Sequence, residues 1–203
     1  MFTGIVQLTA PITEMTEQPG LRTFGVTLPE RLLNDLEIGA SIANNGVCLT
    51  VTRVRNDTVF FDVMEETLRL TNLSELALGD HVNIERSLTF GKEIGGHLVS
   101  GHVHTCAVVS AREETETNCR IRLQVAPQWM KYILHKGFVA VDGCSLTVGT
   151  IYDDGFDLHL IPETLAVTNL SERQVGDRIN IEIDSQTQTI VDTVERVLAQ
   201  RQG

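Results

Sequence analysis

Short stretches of alternating apolar and polar residues run through most of this chain, as in Cys48-Leu49-Thr50-Val51-Thr52, His81-Val82-Asn83-Ile84-Glu85, Arg120-Ile121-Arg122-Leu123-Gln124-Val125 and Arg178-Ile179-Asn180-Ile181-Glu182. A period of two puts successive side chains on opposite faces of a strand, one toward a core and one toward water. Gly25 to Leu28, Ser41 to Ala43, Val59 to Val63, Ser145 to Thr150 and Phe156 to Leu160 read as further strands. Turn formers such as Asn56-Asp57 and Gly79-Asp80 punctuate them. About six strands fit in each half of the chain, and a small closed barrel buries one face of such a set while hiding its edges. Short helical turns are predicted at Pro29-Glu30-Arg31-Leu32-Leu33 and from Pro127 to Ile133, with proline at the first helical position. From Ser185 the period changes. A capping-box pattern, Ser185-Gln186-Thr187-Gln188, precedes Ile190, Val191, Val194, Val197 and Leu198, an apolar helical stripe. Such a helix either packs on the second barrel or joins subunits, and the pattern serves both.

The strand pattern is written twice. Gly46-Val47-Cys48-Leu49-Thr50-Val51 is matched by Gly143-Cys144-Ser145-Leu146-Thr147-Val148, an offset of 97 residues from Gly46 to Gly143. At the same offset Glu66-Thr67-Leu68 meets Glu163-Thr164-Leu165, Thr71-Asn72-Leu73-Ser74-Glu75 meets Thr168-Asn169-Leu170-Ser171-Glu172, and Gly4, Val6 and Ala10 meet Gly101, Val103 and Ala107. The period is the size of a domain. The expected fold is mainly β: two tandem six-stranded antiparallel Greek-key barrels related by internal duplication, plus a C-terminal α-helix. The domains are expected at residues 1–97, 98–186 and, for the helix, 187–203. Six residues separate Gly39 from Gly46 but five separate Gly137 from Gly143, which reads as a one-residue slip beside the main motif.

The formal charge of −11 opposes binding to nucleic acid or to anionic membrane surfaces. No targeting segment or long apolar run is evident, so a soluble cytoplasmic protein is expected. Cys48, Cys106, Cys119 and Cys144 show no CxxC spacing and do not fall on matched positions, which predicts reduced thiols rather than zinc or disulfides. The common nucleotide, zinc-protease and hydrolase fingerprints are missing from the sequence.

Candidate chemistry gathers at a few positions. Gly95-Gly96-His97-Leu98-Val99-Ser100-Gly101-His102-Val103-His104 lies at the junction of the repeats, and its histidines fit catalysis, ligand binding, metal binding or plain structure. Cys48 stands where the other copy has Ser145, and Asn45 where it has Asp142, whose carboxylate could act as a base. Lys136, beside a turn glycine, could offset negative charge on a ligand.

Four segments together resemble the riboflavin synthase family of the α-chain type: Met1-Phe2-Thr3-Gly4-Ile5-Val6, Asn45-Gly46-Val47-Cys48-Leu49-Thr50-Val51, Gly95 to His102, and Asp142-Gly143-Cys144-Ser145-Leu146-Thr147-Val148. The resemblance covers essentially the whole chain. It implies dismutation of two molecules of 6,7-dimethyl-8-ribityllumazine by four-carbon transfer, giving riboflavin and 5-amino-6-(D-ribitylamino)uracil without metal or cofactor. It implies a homotrimer as well, with barrels of different subunits facing each other, and brings in lumazine synthase as a partner. The implied substrate contacts of the N-terminal half are Gly4, Ile5, Val6, Cys48, Leu49, Thr50, Asp62, Val63, Met64, Glu65, Glu66 and Thr67. Those of the C-terminal half are Gly101, His102, Val103, Lys136, Ser145, Leu146, Thr147, Ile161, Pro162, Glu163, Thr164, Leu165 and Ala166. In keeping with the resemblance, proton transfer is assigned to His102 with Ser145 and Thr147 nearby, and nucleophilic activation or addition to Cys48 with Ser41; Asp142 joins the catalytic set as the candidate base. Val47 stands where some members have a second cysteine, and Cys144 where an apolar residue is common. Lumazine and yellow fluorescent antenna proteins share the resemblance, and a non-catalytic carrier is the competing reading.

Overall fold

The computed structural model describes residues 1–202. Among the described residues twelve strands form two closed barrels. The first contains β1 (Leu8–Gln18), β2 (Leu21–Thr27), β3 (Ser41–Asn44), β4 (Val47–Arg55), β5 (Thr58–Met64) and β6 (His81–Arg86), ordered β1-β2-β5-β4-β3-β6. The second contains β7 (Thr105–Glu114), β8 (Cys119–Gln124), β9 (Phe138–Val141), β10 (Cys144–Tyr152), β11 (Gly155–Leu160) and β12 (Arg178–Ile183), and repeats that order. All pairings are antiparallel, and β1 meets β6 as β7 meets β12, leaving no open edge. The alternating residues behave as the pattern demands: Val47, Leu49 and Val51 point into the first core, whereas Thr50 and Thr52 face out.

Short helices seal the barrel ends: α1 (Glu30–Leu33), α2 (Glu65–Leu70), α3 (Pro127–Met130) and α4 (Pro162–Val167). The predicted turn at Pro127 is shorter than its span to Ile133, and α2 and α4, lacking a long apolar stripe, give no periodic signal. The last helix, α5 (Ser185–Gln202), is capped by Asp184 rather than by Ser185. Asp184 Oδ2 accepts from the Thr187 N–H at 2.9 Å and from its hydroxyl at 2.7 Å, because an acceptor outside the first turn is what satisfies the free N–H groups. One face of α5 lies on the second barrel: Val191 packs on the core, Tyr132 donates to Asp192 at 2.5 Å, and Lys131 pairs with Glu195. Ile190, Val194 and Leu198 remain at least half exposed. Among the described residues no helix is long and apolar enough to cross a membrane.

The supposed slip in the repeat does not exist. Gly39 donates its N–H to Val51 O at 2.8 Å, and Lys136, not Gly137, makes the matching bond to Val148 O at 3.0 Å. Both are left-handed, Gly39 at φ 92° and Lys136 at φ 63°. The register misleads because a lysine occupies the conformation that glycine fills in the first copy.

The barrels join through a buried polar seam with approximate twofold symmetry. Asn180 Nδ2 donates to Asn45 O at 2.8 Å, and Asn83 Nδ2 to Asp142 O at 2.9 Å. The Asn72 N–H donates to Asn180 Oδ1 at 2.7 Å and the Asn169 N–H to Asn83 Oδ1 at 2.8 Å. At its centre Gly46 and Gly143 touch backbone to backbone: a Cβ on Gly46 would lie 2.5 Å from Gly143 N. Buried amides that satisfy one another fix the relative placement of two cores as well as adhesion between them.

The segments that precede each barrel cross over. Val6 packs in the second core and Val103 against the first, while Phe2 and Val99 pair between them with N···O distances of 2.7 and 3.1 Å. Each barrel is thus completed by the leader of the other.

Candidate functional site

Two related half-sites lie on the outer faces of β4 and β10. On β4 the register sets Cys48 opposite Ala43 and Thr50 opposite Ser41, so Ser41, Cys48 and Thr50 share the face turned away from the core. The Cys48 N–H donates to Gly101 O at 2.8 Å. A Cβ on Gly101 would lie 2.5 Å from Cys48 Cβ, so only glycine permits this approach. On β10 Ser145 lies opposite Ala140 and Thr147 opposite Phe138, and the Ser145 N–H donates to Gly4 O at 2.7 Å.

This geometry corrects the grouping expected from the sequence. Gly4, Ile5 and Val6 form a wall of the Ser145 half-site, not of the Cys48 half-site, and Gly101, His102 and Val103 lie with Cys48. The crossing of the leaders causes the exchange. Within one chain His102 is therefore grouped with Cys48, and Ser145 is served by a different histidine.

That histidine is His97, which the sequence left among several junction residues. Its Nδ1 lies 2.6 Å from Ser145 Oγ, and its ring stacks on Phe138 with centroids 5.3 Å apart and planes 17° apart. Burial lowers its pKa below that of a free imidazole, partly offset by the charge of Asp184. The ring is thus neutral at pH 7 and fit to accept the serine proton. Its advance signal was its place in the junction motif, since it lies between the two copies rather than on a matched pair of positions.

A cavity of about 240 Å³ opens beside Ser145, lined by Gly4, Ile5, Val6, Cys144, Glu163, Thr164, Val167 and Thr168. At the 97-residue offset these become Gly101, His102, Val103, Val47, Glu66, Thr67, Leu70 and Thr71 around Cys48. Glu66 is engaged by Arg69 at 2.6 Å, and Asp62 accepts from the Thr23 hydroxyl at 2.7 Å. Leu49 and Val63 point into the first core, and Leu146 and Leu165 pack against the second, so the side chains of these four residues are turned inward. Met64, Glu65, Ile161, Pro162 and Glu163 are exposed at the rims, with Ala166 on α4. Lys136 is exposed at the β9 turn.

Asp142 is placed differently from the other catalytic candidates. It is fully buried in the seam, its Oδ1 accepting from Asn72 Nδ2 and the Asn180 N–H, both at 2.9 Å, and its Oδ2 from Arg173 at 2.7 Å. Burial raises its pKa against the pull of Arg173, and the carboxylate faces no open cavity. Such a group holds the barrels together and has no route to a substrate proton. Burial also pushes the Cys144 thiol up to about 12 and that of Cys106 to about 11, so neither is a thiolate nucleophile at neutral pH. Among the described residues no cluster of histidine, cysteine and carboxylate side chains suits a metal ion.

Paired barrels with crossed walls and repeated outward-facing motifs are the architecture of a tandem lumazine-binding protein, and the family described as "Lumazine binding domain" matches residues 3–87 and again 100–184. Solved structures of LumP share the architecture. The complex with riboflavin aligns at TM-score 0.85 and 28% identity over 91% of this chain and 100% of LumP; the complex with 6,7-dimethyl-8-(1'-D-ribityl) lumazine aligns at 0.83 and 26%. Within this class the chain belongs to the riboflavin synthase family. It is 55% identical to riboflavin synthase of Escherichia coli over 100% of this chain and 96% of that protein, and 40% identical to that of Chlamydia pneumoniae over 98% of each.

Proposed function

We propose that this protein is an enzyme that dismutates two molecules of 6,7-dimethyl-8-ribityllumazine, moving a four-carbon unit from one to the other to give riboflavin and 5-amino-6-(D-ribitylamino)uracil. The observation that carries the reading is the inequality of two otherwise matched half-sites: Ser145 is hydrogen-bonded by a neutral imidazole, and Cys48 occupies its place in the other copy. Two identical substrates need unlike treatment. One must lose a proton from its 7-methyl group, and the other must be attacked at C7.

Ser145 and His97 act on the first, the imidazole taking the proton through or beside the hydroxyl, with Thr147 on the same face. Cys48, with Ser41 and His102, activates C7 of the second. Lys136 and the backbones of residues 62–67 and 161–166 hold and orient the two rings. Holding them stacked in reacting geometry supplies a large part of the rate, on the order of several powers of ten. The N-terminal barrel of one subunit, with its Cys48 half-site, faces the C-terminal barrel of another, with its Ser145 half-site, in a homotrimer, which the exposed Ile190, Val194 and Leu198 stripe on α5 holds together in the cytoplasm. Lumazine synthase is the candidate partner, as the source of the substrate.

The competing reading is a carrier that binds lumazine without turnover, as the structural kinship to LumP allows. Retention of Cys48, His102, Lys136 and Ser145 across both halves favours the enzyme. Purified protein incubated with the lumazine, with a chelator present, is expected to yield one riboflavin for every two lumazines consumed. Tight binding with no riboflavin absorbance overturns the proposal.

A further inference from the structure

Glu85 on β6 and Glu182 on β12 are repeat partners, each 5% exposed. Glu85 Oε1 accepts from the Thr3 N–H and the Thr3 hydroxyl, both at 2.7 Å, and Oε2 accepts from the Gly4 N–H at 3.1 Å. Glu182 repeats the arrangement. Its Oε1 accepts from the Ser100 N–H at 2.6 Å and the Ser100 hydroxyl at 2.7 Å, and its Oε2 from the Gly101 N–H at 2.9 Å. Three donors converging on one carboxylate need a group that only accepts, and a glutamine would turn its NH₂ toward one of them. Burial raises the Glu85 pKa, and the Thr3 and Gly4 donors pull it back.

The clamped residues are the ones that meet the reacting strands. Gly4, held by Glu85, accepts the Ser145 N–H, whereas Gly101, held by Glu182, accepts the Cys48 N–H. We infer that Glu85 and Glu182 are crossed positioning residues, Glu85 of the first barrel setting the wall of the Ser145 half-site and Glu182 of the second setting the wall of the Cys48 half-site. Neither carboxylate touches substrate. Each barrel then controls the binding geometry of the other, which matches two like molecules held in unlike ways. The inference rests on the lumazine-binding reading above.

The test uses the full-length protein with Glu85→Gln and Glu182→Gln, and Thr3→Ala and Ser100→Ala as milder forms that keep the carboxylate should the first pair fold poorly. Amide hydrogen exchange without ligand reads the walls directly. Glu85→Gln and Thr3→Ala are expected to speed exchange at residues 4–6 and leave 101–103 protected, and Glu182→Gln and Ser100→Ala to do the reverse. Fluorescence titration with 6,7-dimethyl-8-ribityllumazine should then show one half-site weakened about tenfold or more and the other retained. Equal loosening of both segments, or no change in either, overturns the inference. Crossed exchange in a protein that binds no lumazine upholds the clamp and removes the functional reading, whereas uncrossed exchange with normal binding does the opposite.

Discussion

Asp142 and Arg173 form a buried charged pair in the seam that the other half of the repeat replaces outright. At the matched positions the first half has Asn45 and Leu76. Asn45 Oδ1 accepts from the Asn83 N–H at 2.8 Å and from Asn169 Nδ2 at 3.0 Å, the same two bonds that Asp142 Oδ1 makes with Asn180 and Asn72. An Asp142→Asn substitution therefore keeps both of those bonds and loses only the one to Arg173, whose guanidinium would then face an NH₂ group. Removing one partner of a buried pair costs about 3–5 kcal/mol, chiefly for the charge left unpaired. The Arg173 side chain keeps 17% exposure and can reach some water, so the low end, about 3 kcal/mol, is expected. Arg173→Leu alone strands the carboxylate and should cost a similar amount. The double substitution recreates the Asn45 and Leu76 arrangement and should recover at least about 2 kcal/mol of the summed loss as coupling. Denaturant unfolding of all four proteins at one fixed protein concentration closes the cycle. A single-mutant loss under about 1 kcal/mol, or additive losses in the double variant, would refute the structural role and return Asp142 to the list of candidate bases.

Gly46→Ala should cost about 3 kcal/mol, because it adds a Cβ 2.5 Å from Gly143 N at a φ of 77°; thermal unfolding that shifts by less than the equivalent of about 1 kcal/mol would show that the seam yields. Lys136→Gly should stabilise the fold by up to about 1 kcal/mol while weakening lumazine binding, and a variant that binds normally removes Lys136 from the site. His97 has a folded pKa below the 6.5 of its free form. The stability from its neutral state is therefore complete above pH 6.5 and is lost as pH falls through 6.5 toward the folded value. The acidic limb of riboflavin formation should accordingly lie below pH 6.5 and disappear in His97→Gln, and an unchanged profile in that variant would exclude the imidazole as the base.

Period-two alternation and the 97-residue echo were enough to specify two barrels, because both depend on which face of a strand a residue occupies. Neither shows which copy a residue packs against. Gly4 and Gly101 are repeat partners whichever barrel they serve, so the crossing of the leaders is invisible until Val6 is seen in the second core and Val103 against the first. The same blindness placed His102 beside Ser145. Lys136 exposed a second weakness: aligning glycine with glycine assumes that a left-handed turn keeps its residue type, whereas here the conformation is retained and the residue is not.

The mismatches within the repeat divide by a physical criterion. Asn45 against Asp142 looks like altered chemistry when read alone, yet it changes together with Leu76 against Arg173, and a new charge that arrives with its own counter-charge 2.7 Å away is compensated inside the fold. Cys48 against Ser145 has no such compensation. Both side chains stay half-buried on outward strand faces, and the partner that accompanies Ser145 is His97, from the segment that joins the two copies. A substitution whose only new partner lies outside the duplicated unit is one that packing does not explain. By that criterion the asymmetry that packing leaves unexplained resides in Cys48, Ser145 and His97, and the buried asparagines, Asp142 and the paired glycines hold the frame around it.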